Sequence, residues 1–234
     1  MLDYELAKDI LVFLVLMIPP LLVYIRFWHD RDRSVVLIVL ISIIYLLAAV
    51  FTQNLMPFIL VLFNIGFMKG KEEFKEYNFS LKGFRLLKGL KYSGFSYLVT
   101  ILVAMVSISI MTYFGIPQQE QDVVKWITDL PLDQFWIAIP VAVIFAPVAE
   151  EFVFRWFFFE RLFKKRMGFI AAAVLSSLIF AFVHFNIQAF LMILWIGMFN
   201  CYLIDKKGYW YAVFNHLFFN SVTVFAILMS KINV

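Results

Sequence analysis

Six side chains in this 234-residue chain could do chemistry together: Glu150, Glu151, Arg155, His184, His216 and Asn220. They fall into three short patterns, Glu150-Glu151-x-x-x-Arg155, Phe180-x-x-x-His184 and His216-x-x-x-Asn220. A carboxylate and an imidazole can take a proton from water, while a second imidazole and an amide can offer N–H groups to a developing oxyanion. That combination fits hydrolysis of an acyl bond. Glu151 and Arg155 are four residues apart and share a helix face, so they read as a structural ion pair. Glu150 points about 100° away on an α-helix and has no counter-charge at that spacing. It therefore reads as the free carboxylate and general base. His216 and Asn220, also four apart, project from one face.

Each pattern has a plainer reading. Glu and Arg at a helix end can snorkel to an interface. A lone His at the end of an apolar run can be an interfacial side chain. A His and an Asn on one face can be interhelical hydrogen-bonding glue. Their co-occurrence favours chemistry, because ionisable groups inside apolar spans are costly and each one marks a candidate site.

The elements that must carry these residues are membrane spans. Hydrophobic residues make up 64% of the chain and charged residues 15%, with 29 Phe. Soluble domains carry roughly 45–50% apolar residues, so a water-soluble fold is excluded. A polytopic all-α bundle of about eight spans is predicted, near residues 10–25, 35–51, 55–68, 95–114, 135–163, 168–184, 187–204 and 208–229. The third is short for a crossing, which takes about 20 residues. Pro19 and Pro20 should bend the first, and Pro140 and Pro147 should kink or break the fifth.

The connections alternate in charge. Arg26, Arg31 and Arg33 follow the first span; Lys69, Lys71, Lys75, Lys82, Arg85, Lys88 and Lys91 follow the third. Arg161, Lys164, Lys165 and Arg166, then Lys206 and Lys207, mark two later basic turns, whereas residues 115–134 are acidic. Basic loops stay on the cytoplasmic side, which places both termini outside a cell membrane. Residues 80–93 read either as an amphipathic interfacial helix or as a solvated linker. Residues 1–234 read as a single integral membrane domain. Residues 1–134 hold the N-terminal spans and the basic interfacial segment, and 135–230 hold a catalytic core of about four helices. By residue counting, His184 falls near the outer face while Glu150 and His216 fall nearer the middle.

Other classes find little support. The single cysteine, Cys201, forms no disulfide within the chain and lacks a nearby polar partner in sequence, so a buried structural role outweighs a catalytic thiol. There is no nucleotide-binding motif. The basic residues flank spans, which argues for lipid headgroups rather than nucleic acid as their partner. The N-terminus is acidic, so the first apolar run reads as a retained anchor rather than a signal peptide.

The order Glu-Glu-x-x-x-Arg, Phe-x-x-x-His, His-x-x-x-Asn resembles the CAAX protease and bacteriocin-processing family of membrane proteins. The flanks Ala146-Pro147 and Tyr209-Trp210-Tyr211-Ala212 are similar to that family as well, and the resemblance covers roughly residues 135–225. It implies a helical intramembrane glutamic endopeptidase that needs no cofactor or metal and acts on a hydrophobic or lipidated peptide or protein. It also implies that Glu150 and His184 activate water, that His216 and Asn220 form the oxyanion site, and that Glu151 and Arg155 support it.

Two other classes stay open. Glu150, His184 and His216 could supply three zinc ligands, although no His-Glu-x-x-His motif is present. A non-catalytic membrane scaffold or immunity factor is the second. A transporter is less well matched, for no repeated half with broken helices is evident.

Overall fold

A computed structural model describes residues 3–29, 34–52, 54–117 and 120–232. Their regular structure is helical throughout, as the composition requires of a chain whose backbone must satisfy itself in lipid. The long elements are α1 (Tyr4–His29), α2 (Val35–Thr52), α3 (Leu55–Met68), α5 (Leu86–Tyr113), α10 (Ile187–Lys207) and α11 (Tyr209–Ile232). Shorter α4 (Glu72–Glu76) and α6 (Asp122–Asp129) lie in the connections. Residues Leu132–Phe182 form one helical run of 51 residues. It consists of α7 (Leu132–Pro140), a π-helical turn (Val141–Phe145), α8 (Ala146–Glu150), a long π-helix (Glu151–Lys164) and α9 (Lys165–Phe182).

Six helices among the described residues are long and apolar enough to cross a membrane, and the protein is a multi-pass integral membrane protein. The 51-residue run contains two of the predicted spans. It folds back on itself at Gly168, where φ of 78° suits a residue without Cβ. Beyond that point α9 packs antiparallel to the π-helix. Ser176 Oγ donates to the Phe154 carbonyl at 2.6 Å, and the rings of Phe159 and Phe169 meet at 5.4 Å. With α3, which is only 14 residues long, all eight predicted segments are helical.

The N-terminal helices form one packing unit. α1 and α2 run antiparallel, tied by Tyr45 Oη donating to the Met17 carbonyl at 2.9 Å. α3 lies parallel to α1, with Asn64 Nδ2 donating to the Pro20 carbonyl at 2.8 Å. Apolar residues such as Leu21, Tyr24, Ala49 and Leu60 fill the space between them. The outer face of α2 carries exposed Val36, Leu40, Ile44 and Leu47, as expected where lipid is the solvent.

The basic connections after α3, after the π-helix and after α10 meet at one end of the bundle. Arg161 approaches Glu73 at 3.7 Å, Lys164 pairs with Glu160 and Asp205, and the Tyr209 N–H donates to the Tyr77 carbonyl. At the other end Lys8 pairs with Asp122 at 2.6 Å, and Lys231 reaches the carbonyls of Thr128 and Leu130. This is the grouping that the charge alternation predicts, although Arg31 and Arg33 fall outside the described residues. The segment at 80–93 is not one amphipathic helix. Leu81–Gly83 form a 3₁₀ turn, Phe84 and Arg85 are extended, and α5 starts at Leu86, nine residues before the predicted span.

Candidate active site

The polar residues sit where the π-helix, α9, α10 and α11 converge. Proline chemistry sets the local shape of the Glu-bearing helix. Pro147 has no N–H, and its ring crowds the carbonyl four residues earlier, so a regular α-turn ahead of it is disfavoured. The chain widens instead, and the Ala146 N–H donates to the Val141 carbonyl five residues back. A second widening runs from Glu151 to Lys164. Such π-turns are rare and frequent at functional sites. In this wider spiral, successive side chains are turned by less than on an α-helix.

The two acids meet α11 at its histidine. Both reach His216. Glu151 Oε1 accepts from His216 Nδ1 at 2.7 Å, and Glu150 Oε2 lies 3.7 Å from His216 Nε2. The second contact is too long for a hydrogen bond. Glu151 also makes its predicted ion pair, with Oε2 at 3.2 Å from Arg155 Nε, and both side chains are fully buried. Spacing predicts Glu151 paired with Arg155, and the family resemblance implies His216 at the oxyanion site. The observed Glu151 carboxylate holds both Arg155 and His216.

The ring nitrogens are distinguishable from their partners. A carboxylate can only accept, so His216 Nδ1 carries a proton and Nε2 is the atom presented to Glu150. His184 Nδ1 donates to the Phe180 carbonyl at 2.7 Å, which leaves its Nε2 as the acceptor in the neutral ring.

Phe180 connects the three patterns. Its ring lies under the Arg155 guanidinium at 4.0 Å, meets His184 edge-on at 4.7 Å and meets His216 edge-on at 5.8 Å. It also packs on Phe154 at 4.9 Å. Phe180 thus brings His184 and His216 against one ring. α9 ends at Phe182, and the register of the hairpin sets His184 one turn beyond a ring that already touches His216. The chain then reverses through Phe185 at φ 47°, a left-handed conformation that is costly for a bulky residue. Asn186 caps α10 by accepting from the Ala189 N–H at 2.8 Å.

Two further residues, not predicted from spacing, belong to this centre. Asn215 Nδ2 donates to Asn200 Oδ1 at 2.8 Å, and Asn200 Nδ2 donates to Glu151 Oε1 at 3.0 Å. Both asparagines are fully buried. A signal was present, since an amide in an apolar span needs partners, and that rule singled out Asn220 alone. Gly197 allows α10 to approach closely: a Cβ there would meet Ser177 at 2.8 Å and Arg155 Nη2 at 3.2 Å. Asn220 is not part of this hydrogen-bond network; its Nδ2 donates to the Ala142 carbonyl at 2.8 Å. Cys201 is buried, and Ser177 Oγ is 4.0 Å from its sulfur. Among the described residues no three His, Cys, Asp or Glu side chains are grouped to hold a metal ion.

An apolar groove of about 160 Å³ is lined by Leu81, Phe84, Ile144, Val148, Val213 and Leu217, among others. Val213 and Leu217 flank His216 in sequence, and Val148 lies two residues before Glu150.

A helical membrane bundle with a buried carboxylate–histidine–amide centre is the class that the fold and geometry define. Residues 132–222, which carry all three patterns, match the family of type II CAAX prenyl endopeptidases described as Rce1-like. A segment of 89 residues is 33% identical to the Bacillus subtilis protein named "Putative membrane peptidase YdiL". That match covers 38% of this chain and 36% of the relative, so it spans about a third of the curated protein. No solved structure matches the chain. The family resemblance read from the motifs is therefore shown for the segment that carries them.

Proposed function

We propose that the protein is an intramembrane endopeptidase that cleaves a peptide bond in a hydrophobic or lipidated peptide or protein, with Glu150 activating the attacking water. The observation that carries this reading is His216 set between two carboxylates, fixed by Glu151 at 2.7 Å and facing Glu150 at 3.7 Å, within the segment that matches the endopeptidase family. The apolar groove lined by Val148 and Val213, whose helices α8 and α11 also carry Glu150 and His216, supports a hydrophobic substrate.

Glu150, with His184 Nε2 as the second acceptor, takes a proton from water as its oxygen attacks the substrate carbonyl carbon. The new C–O bond moves the carbonyl π-electrons onto oxygen, and an amide N–H of Asn220 and the Nε2–H of His216, held as an imidazolium beside the two carboxylates, donate to that oxyanion. Collapse of the intermediate breaks the C–N bond, and the proton held by Glu150 passes to the leaving amine. Glu151, Arg155, Asn200 and Asn215 keep His216 in place throughout. A positioned proton-transfer group contributes about 10²–10⁴-fold, which sets the scale for its loss.

The test is cleavage of a quenched apolar peptide by the purified protein in liposomes, comparing wild type with Glu150→Ala, His184→Ala and His216→Ala. Loss of cleavage in all three, with melting temperatures retained, supports the reading. Cleavage that persists in Glu150→Ala defeats it. Inhibition by a chelator, reversed by added zinc, would favour the zinc assignment for Glu150, His184 and His216 instead.

A further inference from the structure

We infer that Pro147 is a positioning residue for Asn220, because it leaves the Ala142 carbonyl free to hold the Asn220 amide. In a π-turn the carbonyl of residue 142 would accept the N–H of residue 147, five positions on. Residue 147 is proline and has no N–H to give. The other regular donor, the Ala146 N–H, is committed to the Val141 carbonyl. The Ala142 carbonyl thus lacks both helical partners at a depth where an unpaired carbonyl is expensive. Asn220 Nδ2 from α11 fills that place at 2.8 Å.

The bond does more than satisfy a carbonyl. An asparagine amide has two N–H groups, and committing one fixes the plane that carries the other. Asn220 is only half-buried, and the endopeptidase reading turns its second N–H toward a ligand. Pro147 lies three residues before Glu150, so one element both carries the base and sets the amide. This role rests on the endopeptidase reading, in which that second N–H meets the oxyanion.

Two measurements test it and separate its failure from that of the reading. The first needs no activity. In a Glu150→Gln background with 15N-labelled asparagine, NMR of the Asn220 side chain should show one Nδ2 proton protected from exchange and the other labile. Pro147→Ala supplies a competing N–H, so that protection should fall about tenfold or more. Equal exchange of both protons before the change, or unaltered protection after it, overturns the inference. The second is kinetic. Asn220→Ala should lower kcat by about 10²–10³-fold, the usual loss for one oxyanion donor. Pro147→Ala should lower kcat by about tenfold with KM nearly unchanged, and should add nothing further in the Asn220→Ala background. Equal losses in both backgrounds, or a change in KM alone, overturn the positioning role. If wild type cleaves no peptide while the exchange result holds, the endopeptidase reading fails and the proline-set anchor stands.

Discussion

The two halves of this bundle face the same lipid and are held together by different means. Between α1, α2 and α3 the contacts are apolar, and the polar ties are single bonds such as Tyr45 to Met17 and Asn64 to Pro20. Between the π-helix, α9, α10 and α11, Glu151, Arg155, Asn200, Asn215 and His216 are all buried and linked through one carboxylate. In lipid there is no hydrophobic drive between helices, so packing alone can hold the first region. The second carries charges that need one another and cost more than shape-filling residues would. Such a centre is a reason to look for function, and the contrast between the halves can be broken or sharpened by substitution.

The largest expected effect is on activity. Glu150→Gln should lower cleavage by about 10³-fold while leaving thermal stability near that of wild type, because among the described residues its contact with His216, at 3.7 Å, is too long for a hydrogen bond. Its neighbour should behave in the opposite way. Glu151→Ala leaves a buried guanidinium unpaired and removes the acceptor for His216 and Asn200, so a stability loss of about 3–5 kcal/mol is expected in detergent unfolding. Asn200→Ala should cost about 1–3 kcal/mol, because it strands the Asn215 amide and one acceptor site on Glu151. Gly197→Ala should cost about 1–3 kcal/mol by pressing on Ser177 and Arg155, with activity reduced in parallel. Tyr45→Phe in the N-terminal unit is the smallest change, about 1 kcal/mol from one hydrogen bond, with cleavage unaffected. A comparable loss of activity in Tyr45→Phe would erase the distinction between the halves.

Much of this was legible in the residues, for physical reasons. Apolar length gave the helices, and charge grouped the connections 69–91 and 161–167 at one end. The four-residue spacing gave the Glu151–Arg155 pair, since i and i+4 meet on α- and wider helices alike. That both acids face His216 was not legible, because it depends on how the Glu-bearing helix packs against α11. Pro140 and Pro147 announced a disturbance there without fixing its shape. Asn200 and Asn215 pair only once α10 and α11 run side by side, which is a tertiary fact. Phe180 carried a signal of position alone; its contacts with Arg155, His184 and His216 come from the hairpin register set at Gly168.

The division of labour between adjacent glutamates is the claim that everything else depends on. Single-turnover cleavage of one apolar peptide in liposomes, measured for Glu150→Gln beside its unfolding curve, tests it most directly. The account predicts a rate near zero with an unfolding midpoint close to that of wild type. A rate near wild type would contradict it, as would a loss of rate fully explained by an unfolded protein.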